Sequence, residues 1–248
     1  MADLRFTTRL TPHGHLTLAA TDDAPELDAA LARRLEQAFA RGPGHGLLRL
    51  GAAEVGQILP PVLAYWRELA GRYVTALCMR PDVEERGAAI PPPPQEDLDA
   101  RSTAAPVMPG AEYLTSDVLR ALWTEIDGAF AAEHTASKST VQDFLKSLNP
   151  AWNVVGRVHF NLAENRQDEL APFAFLATYT HRLSAHGKAQ HLPLGQALRE
   201  YAGAVHKERL LSLLLPVQRA AERCPWLKEM VDAGEIFHPL RWSPQEAF

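Results

Sequence analysis

Apolar positions along the chain switch between two spacings, and the switches mark its elements. Leu4, Phe6 and Thr8 alternate with Arg5, Thr7 and Arg9, and Leu16 and Leu18 alternate after Thr11-Pro12-His13-Gly14. A period of two around a turn predicts a β-hairpin over 3–20. Leu27, Leu31, Leu35 and Phe39 then recur every fourth residue until Gly42-Pro43-Gly44, which predicts a helix over 25–41. The short apolar stretch 47–50 reads as a buried strand. Leu63, Trp66, Leu69, Tyr73 and Leu77 form one stripe of a long helix over 60–77.

Helical spacing resumes with Leu119, Leu122, Trp123, Ile126 and Phe130, starting at Thr115 or Ser116 and running to His134. A shorter helix spans 140–147 and ends at Asn149-Pro150. The period then returns to two. Val154, Gly156, Val158, Phe160 and Leu162 form one side of a half-buried strand, and 173–182 forms a second, so an antiparallel pair is expected around 154–182. Helices are expected at 193–201, 207–223 and 226–233. The fold class this predicts is α+β, mostly helical, with a small N-terminal β-hairpin and that second β pair.

Proline divides this pattern. Pro91-Pro92-Pro93-Pro94, with Pro106 and Pro109 beyond it, reads as a stiff linker or exposed loop over 81–110. The expected organisation is an α+β subdomain at 1–80, the linker, and a helical subdomain with a β-hairpin at 111–248. Ser243-Pro244-Gln245-Glu246 has the form of a helix start with a capping box. The sequence stops four residues after Pro244, so the second subdomain is expected to be truncated at its C-terminal end.

Composition narrows the class without naming a function. The chain has 248 residues, 46% hydrophobic and 22% charged, with a net charge of −5. That balance argues against a generally basic nucleic-acid coat, although 171–228 is locally basic. No apolar stretch reaches the length of a membrane span, and Asp3, Arg5 and Arg9 interrupt any signal-peptide core. Cys78 and Cys224 read as two reduced thiols of a cytoplasmic protein, with no membrane partner expected.

Motifs for known chemistry are missing from the sequence. The Gly187-Lys188 pair is followed by Ala and Gln, so no phosphate-binding GxxxxGK[ST] loop is present. No GxGxxG opens a dinucleotide-binding unit, and no GxSxG presents a nucleophile. His181, His186 and His191 lie five residues apart, a spacing that puts them on one face of neither a helix nor a strand. With Arg182 and Lys188 beside them, solvent-facing imidazoles are a better reading than a metal site. Paired carboxylates assembled in space leave no local signature, so an enzyme with a spatially assembled site stays open.

Residues 149–242 carry a family resemblance. They contain Asn149-Pro150-Ala151-Trp152-Asn153, Gly156-Arg157-Val158-His159-Phe160-Asn161-Leu162, Phe173-Ala174-Phe175-Leu176-Ala177-Thr178-Tyr179-Thr180, Leu211-Ser212-Leu213-Leu214-Leu215-Pro216 and Ile236-Phe237-His238-Pro239-Leu240-Arg241-Trp242. This succession resembles the leader that precedes the motor in large bacterial SNF2-type ATP-dependent helicases. The opening hairpin and 47–78 are similar to the same leader.

The resemblance implies a non-catalytic regulatory or docking region whose partners are SNF2 motor domains, in cis or in trans. It implies ATP and magnesium for the parent motor and no cofactor in this chain. Duplex DNA is a second partner it allows. Arg157, Arg182, Lys188, Lys207 and Arg209 are then the candidate phosphate contacts, with His186 and His191 beside them. The alternatives are an accessory module that binds the DNA backbone, a stand-alone adaptor, and an independent enzyme.

Overall fold

Asp28 starts the first helix by accepting from the backbone N–H groups of Ala30 and Leu31 at 3.0 and 3.1 Å, the local chemistry an N-cap supplies. The computed structural model describes residues 4–79, 89–202 and 207–247, with the side chains of 207–212 outside the description. Among these, 4–77, 89–153 and 185–187 make one compact unit, and 78–79, 154–184, 188–202 and 207–247 make a second. The α+β class is as expected.

In the first unit, β1 (Phe6–Leu10) and β2 (Leu16–Ala20) pair antiparallel from Phe6↔Ala20 to Leu10↔Leu16. Helix α1 (Ala29–Ala40) buries Leu31 and Leu35. Helix α3 (Pro61–Cys78) buries Leu63, Trp66, Leu69, Tyr73 and Leu77, the expected stripe. Helix α5 (Ser116–Ser137) buries Leu119, Leu122, Trp123, Ile126 and Phe130 and is capped by Thr115. Helix α6 (Val141–Leu148) is capped by Thr140. These amphipathic faces share one core, and the Tyr73 ring packs edge-on against Trp123 and Phe130.

Two expectations fail here. The expected strand at 47–50 is helical: α2 (Pro43–Leu48) runs into a π-helical turn at Arg49–Ala53. A four-residue apolar run has no periodicity of its own, so burial alone cannot separate strand from buried helix. The second failure is the linker. Pro91-Pro92-Pro93-Pro94 leads directly into α4 (Gln95–Thr103). The Ile90 N–H donates to Asp127 at 3.1 Å, and its carbonyl accepts from the Trp123 indole at 2.8 Å.

Buried Arg101 on α4 lies 4.4 Å over the Tyr65 ring, and the Tyr65 hydroxyl donates to the Arg101 carbonyl at 2.9 Å. The described part of the supposed linker therefore belongs to the first unit, and the division falls between 153 and 154. Residues 81–88 lie outside the described residues.

The second unit is built on an antiparallel sheet of β3 (Val158–Glu164), β4 (Phe173–Leu183), β5 (Ala189–Pro193) and β6 (Leu240–Trp242). Strand β4 is central. It pairs with β3 from Val158↔Tyr179 to Glu164↔Phe173, and with β5 and β6 along its other edge. The expected β3–β4 pair is present; β5 and β6 were not anticipated. Helices α7 (Leu194–Tyr201), α8 (Lys207–Ala221) and α9 (Pro225–Asp232) cover one sheet face. Phe175, Ala177 and Tyr179 pack there with Leu194, Leu213, Val217, Leu227 and Ile236. At the end, Ser243 N–H and Oγ both lie 2.8 Å from the Glu246 carboxylate and start the short α10 (Pro244–Ala247).

One buried polar pair in the first unit can be tested alone. The Trp66 indole N–H donates to Thr8 Oγ1 at 2.7 Å, and neither residue is accessible to solvent. Thr8→Val keeps the shape and removes the acceptor, so it should cost about 1–3 kcal/mol of unfolding free energy in urea titrations. Thr8→Ser should retain most of the stability. A valine cost below about 0.5 kcal/mol, the range of inert surface changes, would mean that the indole finds another acceptor.

Candidate functional site

Glu54 is the least expected side chain in the first unit. It is 2% exposed, yet it is a carboxylate. It follows the π turn that carries Arg49, and it faces Arg34 on α1. Arg34 holds it with both arms of its fork, Nε to Oε1 at 2.8 Å and Nη2 to Oε2 at 2.9 Å. Arg49 Nε adds a third bond to Oε1 at 2.9 Å.

Burial pushes the Glu54 carboxyl up, but the hydrogen bonds and charges of Arg34 and Arg49 outweigh it and hold the group below the usual carboxylate range. Arg34 is raised above its ordinary value chiefly by its bond to Glu54. Both partners favour the ionised pair, which supplies the compensation a buried charge requires.

Beside this cluster the surface opens into a cavity of about 250 Å³. Arg34, Ala38 and Arg41 line it from one side of α1, and His45 and Leu48 line it from α2. Arg49 and Ala53 come from the π turn, and Glu133 from α5. Arg41 Nη1 meets Glu133 Oε1 at 2.7 Å, with His45 Nε2 at 3.9 Å from the same oxygen. π turns recur at functional positions because they redirect side chains out of the helical register. The sequence carried a signal for this site in Gly42-Pro43-Gly44-His45-Gly46 followed by Arg49 and Gly51. Such closely spaced glycines inside an apolar run mark tight backbone packing.

The sequence-predicted phosphate contacts do not form one constellation. Arg157, Arg182, Lys188 and His191 are exposed on the second unit, whereas exposed His186 belongs with the first. Lys207 and Arg209 lie on α8 with side chains outside the described residues. A register shift between Thr180 and Arg182 pairs Arg182 with Gln190 and Thr180 with His191. Adjacent strand residues face opposite ways, so Arg182 and His191 sit on opposite sheet faces. Arg182 Nε donates to Gln190 at 2.6 Å. His191 Nδ1 lies 3.0 Å from Thr180 Oγ1, and its ring lies 5.5 Å from that of His159.

His181 departs from the solvent-facing reading. It is part-buried, and burial, then the Arg182 charge, lowers its pKa below the ordinary imidazole value. No group of three or more His, Cys, Asp or Glu among the described residues is placed to hold a metal. Cys78 and Cys224 are unbridged, and burial pushes the Cys78 thiol up to about 12, away from nucleophilic use.

A second surface lies on the sheet of the second unit. Phe160 stacks on Phe175 at 6.0 Å, and Phe175 stacks on Trp242 at 4.9 Å. Trp226 meets Trp242 edge-on at 6.4 Å. The period-two pattern predicted Phe160 and Leu162 on an inward face. They do share that face with Phe175, yet they remain 40% and 49% exposed, as does Trp226 at 49%. Both lie on β3, which forms one edge of the sheet.

No protein-family model matches the chain, and no significant match to it is found among curated proteins or solved structures.

The Glu54 cluster sets a pH dependence. Its folded pKa lies below the unfolded value of about 4.3, so its contribution is full above that value and is lost as pH falls through the folded pKa. Glu54→Gln should cost about 1.5–3 kcal/mol at pH 7, the range for hydrogen bonds to charged groups. The gap between variant and parent in denaturant midpoint should narrow when the titration is repeated at pH 3. A gap of constant size at both pH values would show that the charge on Glu54 contributes nothing.

Proposed function

We propose that this chain is a non-catalytic docking and regulatory region for an SNF2-like ATP-dependent DNA translocase, with the motor supplied in cis or in trans. The observation that carries the reading is the aromatic stack Phe160–Phe175–Trp242 with Trp226 at its side, in which Phe175 is buried while Phe160, Trp242 and Trp226 stay exposed or part-exposed beside an edge strand. Exposed Trp and Phe over a rigid sheet are the anchors protein partners use. An open strand edge adds a ladder of backbone donors and acceptors to which an extended segment can pair.

Two further points support it. The segment 149–242, which carries most of the resemblance, nearly coincides with the second unit, while the opening hairpin and most of 47–78, also similar, lie in the first. The aromatic stack is also drawn from that segment. On this reading ATP and magnesium are handled by the motor polypeptide. The setting on this reading is cytoplasmic. Among the described residues no helix is long and apolar enough to cross a membrane.

A second reading, a module that grips the DNA backbone, is favoured by the exposed Arg157, Arg182 and Lys188 of the same unit. The two separate by salt response. Docking through buried aromatic area changes little between 50 and 200 mM salt, whereas several neutralised phosphates lose affinity steeply over that range.

The experiment measures binding of the chain to an SNF2-type motor that lacks its own leader, together with the motor's DNA-stimulated ATPase rate. Trp226→Ala should weaken the complex about 30-fold or more, as loss of an aromatic anchor does. Arg157→Ala with Arg182→Ala should leave it within a few-fold. No complex with the motor, together with steeply salt-dependent binding to duplex DNA that the arginine variants abolish, would replace docking with DNA contact.

A further inference from the structure

We propose that the opening bounded by Arg34, Arg41, His45 and Arg49 in the first unit is a binding site for a phosphate group, carried by a free ion or a small ester. The inference does not depend on the docking reading, which concerns the second unit. Three guanidinium groups from α1 and the π turn border one cavity. Arg34 and Arg49 are held in place from beneath by Glu54, at 2.8 and 2.9 Å. Their orientation is therefore fixed before any ligand arrives, which removes much of the ordering cost of binding.

Donors remain after the internal bonds are counted. Arg49 uses only Nε on Glu54, Arg34 uses Nε and Nη2, and Arg41 uses Nη1 on Glu133. Both terminal nitrogens of Arg49, Nη1 of Arg34, and Nε and Nη2 of Arg41 have no hydrogen-bond partner among the described residues. The lining carries three guanidiniums and one carboxylate, Glu133. Glu54 and Asp28 act on these arginines from outside the lining, and the face of the opening itself favours an anion.

Shape chooses among anions. A carboxylate offers two oxygens in one plane and suits a single fork. Three guanidiniums on two elements suit an anion with three outward oxygens, which a phosphate monoester presents. The cavity of about 250 Å³ falls below the roughly 300–1,000 Å³ that drug-sized ligands fill. That size admits a phosphate with a small body attached.

The alternative is a purely structural ion cluster, and the two differ in what Glu133 does. If the opening binds phosphate, the Glu133 carboxylate repels it and competes for Arg41, so Glu133→Gln should tighten binding several-fold. A structural cluster gains nothing from that change.

The test is calorimetric titration of the whole chain at constant ionic strength with inorganic phosphate, then glycerol 3-phosphate, with glycerol as the uncharged control. Saturable binding of both phosphates and none of glycerol is expected. Arg41→Gln and Arg49→Gln should each weaken it about tenfold, with circular dichroism confirming that each variant is folded. The Arg41 side chain is 57% exposed and makes no contact with Glu54, so its variant keeps the test decisive if the Arg49 variant unfolds. Preference for the ester over the free ion would identify an organic phosphate as the ligand; equal affinity would identify the ion. Absence of saturable binding by the folded parent chain, or binding unchanged by Arg41→Gln and Glu133→Gln, would overturn the proposal.

Discussion

The close approach of α2 to its neighbours is the constraint on which the first unit depends. Gly44 lies against the Glu125 carbonyl of α5, and Gly46 lies under the Phe39 ring of α1, with no room for a β-carbon at either place. Gly51, in the π turn, meets Ala70 of α3 in the same way. Three glycines therefore let a short helix and a π turn sink between three long helices. That depth places Arg49 and Glu54 where they meet Arg34, and it brings His45 alongside Glu133.

Burial of Glu54 follows from this geometry and would be untenable without its partners. An isolated carboxylate at that depth would cost several kcal/mol. Two guanidiniums make the ionised form the stable one, and the same bonds fix two of the arginines that line the cavity. Under the proposed phosphate site, stability and recognition draw on one set of contacts. Arg101, set over Tyr65, is a second buried charge in the unit. There the guanidinium lies over an aromatic ring, and its pKa falls below the ordinary arginine value, chiefly through burial.

The second unit is organised by one strand. β4 receives β3 on one side and both β5 and β6 on the other, so residues distant in sequence are joined through Phe173 to Leu183. Its odd-numbered side chains from Phe175 to Tyr179 enter the core under α7, α8 and α9. β3 sits at the border of that cover. Its Phe160 and Leu162 keep the orientation of core residues without being enclosed, which creates an apolar surface from a pattern meant for an interior.

Much of the helical framework was legible in the sequence. The stripes of α1, α3 and α5, the helix starts near Thr115 and Thr140, and the β3–β4 pair follow from periodicity and local hydrogen bonding, which act over a few residues. The helical state of 47–50 was not legible, because it depends on glycines meeting partners as far away as Glu125. The same holds for Glu54, which reads as an ordinary acid until α1 folds over it. β5 and β6 escaped notice because a three- to five-residue strand is defined by the neighbour it pairs with. The sequence by itself determined which faces are apolar and where the long helices lie. Tertiary structure alone decided which charges are buried, which aromatics stay uncovered and where the units divide, since those outcomes depend on contacts between residues tens of positions apart.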